Sequence, residues 1–272
     1  MKSSLIESIK SLPPLSKTIM QINEITQNED ATIADLIKVI EQDPMIVANL
    51  LKAANSPLYG FGREIKTVQQ AVSLFGMQQT KTIALGNAVK KLLNVDMRPY
   101  GITSDKFAEI SSLQANLMLA WFNKIDTSMA QTLQLAAFLQ ETGKILIASD
   151  VIQDDEDISF ASEIELTNNI AQVEKTYVGV TSAEVTSAVF KHWGFGDEFI
   201  EMIHFSDTPI SAPDEIKKYA LALHIVKTAV PVNKPLSEVA INFALRKARD
   251  AGFNHEILED CIDDMLDTLG QN

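Results

Sequence analysis

Apolar residues recur along the chain at the three- and four-residue spacing of helix faces, and no stretch alternates with period two for long enough to make a sheet strand. The pattern predicts an all-α fold. Lys2 to Ser11 reads as a short helix stopped by Pro13 and Pro14, which cannot continue a helix and push the residues before them toward extended backbone. A second helix starts near Ser16, carries Ile19, Ile22 and Ile25 on one face, and runs into the polar stretch Gln27 to Asp30. Thr32 and Asp35 stand at capping-box spacing before the stripe Ile33, Leu36, Ile37 and Ile40. Asp43 and Pro44 read as the N-cap and first-turn proline of a helix reaching Ala54, which Asn55, Ser56 and Pro57 break. Leu58 to Lys66 predicts an ordered loop, too apolar to stay in water as a whole. Thr67 and Gln70 make a second capping box, Gly76 closes that helix, and another runs from about Met77 to Leu93.

A polar connector, Asn94 to Thr103, precedes the second half. Ser104 caps a long helix marked by Phe107, Ile110, Leu117 and Trp121, and Thr127 to Ala148 predicts one continuous central helix, apolar on several sides. Asp154 to Asp157 reads as a solvated acidic loop. Further helices are expected at Phe160 to Tyr177, at Ser182 to Trp193 with Thr181 as cap and Gly194 as stop, and at Asp197 to Phe205. The last three are expected at Asp214 to Val230, Pro235 to Ala251 and His255 to Leu269. This organisation suggests an N-terminal lobe over residues 1–98 and a second lobe over 99–272.

Composition narrows the setting. With 272 residues, 46% hydrophobic and 22% charged, the chain can bury a sizeable core, and disorder is excluded as its main state. Cys261 is the single cysteine, which excludes an internal disulfide framework and fits a reducing, cytoplasmic environment. No apolar run approaches the roughly 18 residues that span a bilayer, and the first residues lack a signal-peptide core, so no membrane role is expected. The net charge of −13 argues against general affinity for nucleic acid. That charge is uneven: residues 1–100 hold 11 basic against 9 acidic residues, and residues 101–272 hold 12 against 27.

Familiar catalytic patterns are missing. His192, His204, His224 and His255 include no pair at i, i+4, and none is followed by Asp. Cys261 lies between Asp260 and Asp263, surroundings that raise a thiol pKa. There is no nucleophile elbow and no glycine-rich phosphate loop before a fitting helix. The helices flanking Gly76 resemble a helix-turn-helix in outline, with Lys81, Lys90 and Lys91 nearby, but Met77-Gln78-Gln79-Thr80-Lys81 presents too little basic character at the start of the second helix.

The punctuation residues are more specific. Leu12-Pro13-Pro14-Leu15, Glu41-Gln42-Asp43-Pro44, Ala53 to Gly60, Ile65-Lys66-Thr67-Val68 and Ala71 to Gly76 follow one another in register over about sixty residues. In that order the chain resembles the HDOD family, the HD-related output domains of bacterial signalling proteins, over roughly residues 10–205. The resemblance implies a helical fold related to HD phosphohydrolases with an added N-terminal lobe. In catalytic HD enzymes a His-Asp pair, with further His and Asp residues, holds one or two metals. Here Gln140 and Glu141 take the His and Asp places, Ser182 replaces a later His, and His204 falls where one His of a pair is often found. Gln and Ser are weak ligands for divalent metal, so the resemblance implies neither a metal centre nor any cofactor.

The expected function is that of a non-catalytic signal-transduction protein that binds a protein partner. The family residues Pro13, Pro14, Asp43, Pro44, Asn55, Ser56, Pro57 and Gly76 read first as helix starts and stops. Leu58, Tyr59, Phe61 and Ile65 form the candidate partner surface, because apolar loops on rigid scaffolds tend to bind. Two alternatives have different chemistry. One is a metal-dependent HD phosphohydrolase using the displaced set Glu141, Glu184, His204 and His224. The other is a protein that senses a small nucleotide, cyclic nucleotide or other phosphodiester in a pocket between the lobes, without cleaving it.

Overall fold

A computed structural model describes residues 1–28, 30–56, 59, 64–92 and 96–270, and among these it contains helices and no strand. Local sequence sets most helix starts. Asp43 accepts hydrogen bonds from the N–H groups of Met45 and Ile46, opening α4 (Pro44–Ala54) behind α1 (Ser3–Lys10), α2 (Lys17–Gln27) and α3 (Ile33–Ile40). The capping box of Thr32 and Asp35 is formed, as is that of Thr67 and Gln70 before α5 (Val68–Leu92). Inside α5 the chain turns at Gly76, whose φ of 73° breaks the helical path and is a conformation only glycine adopts freely.

Pro13–Leu92 and Asp267–Asn272 form one compact unit; Met1–Leu12 and Leu93–Leu266 form the other. In the unit built around Pro13–Leu92, α2, α3 and α4 each pack on α5, burying Ile22, Leu36, Ile40, Leu50 and Val72. The other unit begins with α1, which differs from the expected lobe boundary at residue 98. Leu5 and Ile9 are buried on α1, which packs on α8 (Gly143–Gln153) and α11 (Ser182–His192), and Lys2 pairs with Asp150 and Asp154 at 3.3 and 2.6 Å. An amphipathic helix of eight residues gains little by itself and is held where its apolar face finds a partner.

The remaining helices are, in order, α6 (Ser104–Phe122), α7 (Thr127–Leu139), α9 (Asp157–Leu166), α10 (Ile170–Val178), α12 (Asp197–His204), α13 (Asp214–Ala229), α14 (Glu238–Asp250) and α15 (His255–Leu269). Thr103, one residue before the expected cap, holds the start of α6. Trp121 and Phe122 on α6 stack edge-on with each other and with Phe253, and Phe190 gathers Trp193, Phe195 and Phe199.

Two expected helices are each divided. Phe160 to Tyr177 separates into α9 and α10, because the Asn169 side chain caps α10 by accepting from the N–H of Gln172. Thr127 to Ala148 separates into α7 and α8 at Gln140–Thr142. At the start of α8, Gly143 lies so close to α11 that an added Cβ would come within 2.3 Å of the Ser182 carbonyl. Its N–H donates to the Thr186 hydroxyl at 2.8 Å, and that hydroxyl lies 3.0 Å from the Gln140 carbonyl. One threonine on α11 therefore satisfies backbone groups that the break releases.

Candidate functional site

The break between α7 and α8 turns Gln140, Glu141 and Lys144 into the interior, where each is at most 2% exposed. Gln140 donates to the Gln114 side chain at 2.8 Å, and Gln114 donates in turn to the Val230 carbonyl at 2.9 Å. Lys144 reaches further. Its ammonium donates to Glu174 at 2.5 Å and to the Ser182 hydroxyl at 3.0 Å, and it stands 3.1 Å from Glu141. Tyr100 also donates to Glu174 at 3.0 Å, and the Ser182 N–H donates to the other Glu174 oxygen at 2.6 Å. Burial by itself would lower the Lys144 pKa, but Glu141 and Glu174 outweigh it and hold the group above the usual lysine range. Burial, reinforced by Glu174, raises the Tyr100 phenol well above its ordinary value.

A second ion pair lies close by. Lys227 on α13 donates to Asp207 at 2.8 Å. Burial would raise the Asp207 pKa, yet the ammonium groups of Lys227 and then Lys144 hold it well below the usual carboxylate range. His224, one turn before Lys227, makes a 2.7 Å contact from Nδ1 to the Ser206 carbonyl. That contact puts the proton on Nδ1 and leaves Nε2 as an acceptor, 2.7 Å from the Lys247 ammonium on α14. Burial, and then Lys247, pushes the His224 pKa down to about 4, so the ring is neutral at neutral pH.

Of these groups Glu141, Lys144, Asp207, His224, Lys227 and Lys247 line an open pocket of about 740 Å³. Its walls hold four lysines, Lys144, Lys227, Lys234 and Lys247, against two carboxylates, Glu141 and Asp207. Around it, the fit to a divalent metal is poor. Ammonium nitrogens stand on Glu141, Glu174 and Asp207, and Gln140 is turned to Gln114. The displaced ligand set fares no better: Glu184 serves the Thr181 capping box, His204 contacts the Ser187 hydroxyl at 3.0 Å, and His224 is held by Ser206 and Lys247. Among the described residues no three His, Cys, Asp or Glu side chains gather as a metal site, and no helix is long and apolar enough to cross a membrane.

With this geometry in view, the likeness to known proteins is informative. Residues 12–209 match the HDOD domain. The chain belongs to the HDOD family. A structure from Shewanella amazonensis SB2B, named provisionally as a phosphohydrolase, is similar with 22% identity, a TM-score of 0.74, and coverage of 99% of this chain and 95% of that one. Another, named provisionally as a signal transduction protein of Marinobacter aquaeolei VT8, shares 22% identity with a TM-score of 0.72, covering 98% of this chain and 59% of that one. An uncharacterized protein of Treponema pallidum (strain Nichols) is 21% identical over 221 residues, 79% of this chain. The HDOD chain spans 41% of that relative's length. At these identities the solved structures speak for the fold.

Several HDOD signature residues have visible local work. Asp43 and Pro44 start α4, and Gly76 bends α5. Asn55 donates to the carbonyls of Leu51 and Ile65, each at 2.8 Å, and accepts from the Ile65 N–H at 2.9 Å. One side chain thereby ties the end of α4 to the start of the segment before α5. Ile65 needs correction as part of a docking surface. Ile65 is 2% exposed, and Tyr59 is half-buried, its hydroxyl accepting from the Gln79 side-chain amide at 3.0 Å and its ring edge-on to Phe75 at 4.8 Å. Pro57, Leu58 and Phe61 lie outside the described residues. Lys81, the basic residue considered for nucleic acid, is 8% exposed.

Glu174, Lys144, Asp207 and Lys227, which carry much of the site's charge, and Tyr100, which donates to Glu174, were not singled out from sequence. The one lead was that Lys144 follows Gln140 and Glu141, the residues in the His and Asp places, within one helical turn.

Proposed function

We propose that the chain is a non-catalytic regulatory module of the HDOD type that acts in signal transduction by binding a protein partner. The observation that supports this reading is the pair of ammonium groups, Lys144 on Glu141 and Glu174, and Lys227 on Asp207. Each neutralises carboxylates that a hydrolytic centre would need for a cation, and neither can activate water as a Lewis acid. A metal would have to displace a buried ammonium already held by charge-assisted bonds.

The test is hydrolysis of bis(p-nitrophenyl) phosphate and of cyclic dinucleotides by the purified chain with Mn²⁺, Mg²⁺ or Zn²⁺ added. The expected result is no turnover above buffer. Metal-dependent turnover that is lost in Glu141→Ala would overturn the reading. Crosslinking in the native cell, followed by identification of the crosslinked protein, tests the partner half; recovery of the chain uncrosslinked under all signalling conditions tried would count against it.

A further inference from the structure

The pocket of about 740 Å³ holds more positive charge than its carboxylates balance. Lys144 and Lys227 are spoken for by ion pairs. Lys247 is not: its contact is the neutral Nε2 of His224, and among the described residues it has no carboxylate within ion-pair distance. Burial lowers its pKa, as expected for an ammonium partly withdrawn from water without a counter-ion. Lys234, exposed at the rim, is likewise in no ion pair among the described residues. Ile170 and Ala171 also line the pocket; they begin α10, so the positive end of that helix faces the same space.

The lining beside Lys247 is apolar and exposed. On α14, Val239 and Phe243 precede Lys247 at four-residue steps, which places all three on one helix face. Val239 is 54% exposed, Phe243 42% and Leu166 82%, and all three line the pocket. Large apolar side chains left in water beside an unbalanced ammonium suit a ligand with an anionic head and a flat or apolar body. The volume lies within the range of small-molecule sites.

We propose that this pocket binds a small organic phosphate, its phosphate on Lys247 and Lys227 with Lys234 at the rim, and its body against Phe243, Val239 and Leu166. Lys247 is the group that decides affinity, because among the described lining lysines it is the one both partly withdrawn from water and without a carboxylate to compete for it, whereas Lys234 is exposed. His224 positions Lys247 by accepting its hydrogen bond and keeps no charge of its own to repel or attract the ligand. The site lies within one compact unit, and it stands whether or not the partner is found.

The test is isothermal titration calorimetry on the full chain with three probes: pyrophosphate for the head, adenosine for the body, and adenosine 5′-diphosphate for both. The expected order is ADP tighter than pyrophosphate, with adenosine alone not measurable. Lys247→Ala should weaken both phosphates by about tenfold or more, the scale of one charge-assisted hydrogen bond, and Lys247→Arg should recover most of that loss. Phe243→Ser should weaken ADP alone. Pyrophosphate that fails to bind at millimolar concentration, or binds equally well to folded Lys247→Ala, overturns the proposal. ADP no tighter than pyrophosphate overturns the role of the apolar wall. Recovered ADP should be intact; its hydrolysis would leave the binding site standing and overturn the non-catalytic reading instead.

Discussion

Lys144 and Lys247 line the same pocket and live in opposite electrostatic surroundings. Lys144 is enclosed by Glu141, Glu174 and Ser182, and its pKa is raised; Lys247 faces a neutral imidazole, and its pKa is lowered. The first is a built-in counter-ion that closes a cluster of carboxylates. The second is a charge the fold leaves unanswered. One pocket therefore holds a lysine whose charge is answered by carboxylates and another whose charge is not.

The contrast breaks most sharply on substitution of each lysine by methionine. Lys144→Met leaves Glu141 and Glu174 buried without their cation, and should cost about 3–5 kcal/mol or prevent folding. Lys247→Met removes an ammonium that balances no buried carboxylate, and should change stability by no more than about 1 kcal/mol. Denaturant unfolding of both variants checks this; equal losses would mean that Lys247 has a counter-ion after all. The pair Lys144→Met with Glu174→Gln should recover part of the larger loss, because it removes one of the stranded charges.

Acid should sharpen the difference from the other side. The unfolded chain protonates His224 near its ordinary pKa of 6.5, whereas the folded chain takes that proton only near 4. Over that window the unfolded state binds more protons, so the contribution of His224 is full above pH 6.5 and is lost as pH falls toward 4, by at most about 3 kcal/mol. Lys247, Lys227 and Asp207 remain charged throughout, since the Asp207 carboxyl is held well below the usual range. Unfolding midpoints of the wild type and His224→Gln should converge as pH falls from 6.5 to 4. Parallel curves would show that His224 does not titrate as described. A smaller loss than that of Lys144→Met is expected from Tyr100→Phe, which removes one donor from Glu174 while Lys144 and the Ser182 N–H remain, at about 1–2 kcal/mol by denaturant unfolding.

Much of the fold was legible because helix ends are written in local chemistry. Thr32 with Asp35, Asp43 with Pro44, and Thr181 with Glu184 each act where their spacing puts them. The division of Thr127 to Ala148 was hidden, since Gln140 to Gly143 becomes a break only through contact with Thr186, some forty residues away. Asn168-Asn169 did offer a local sign that Phe160 to Tyr177 should divide, as the N-cap that it became. The candidate site was half visible. The family motif drew attention to Gln140, Glu141 and Ser182, but a lone buried Glu174 on an otherwise ordinary amphipathic helix, or an Asp207 in a short turn, looks in sequence like any solvated carboxylate. Ile65 misled for a related reason: the apolar character that suggested a binding surface there instead reports burial.

The central claim is that ammonium groups occupy the place of a cation in this HDOD chain. Titration of the purified wild type with Mn²⁺ by calorimetry at neutral pH tests it most directly. The predicted result is heat of dilution alone, with no displaced proton and no change in unfolding midpoint. Stoichiometric binding at micromolar affinity, lost in Glu141→Gln, would contradict it.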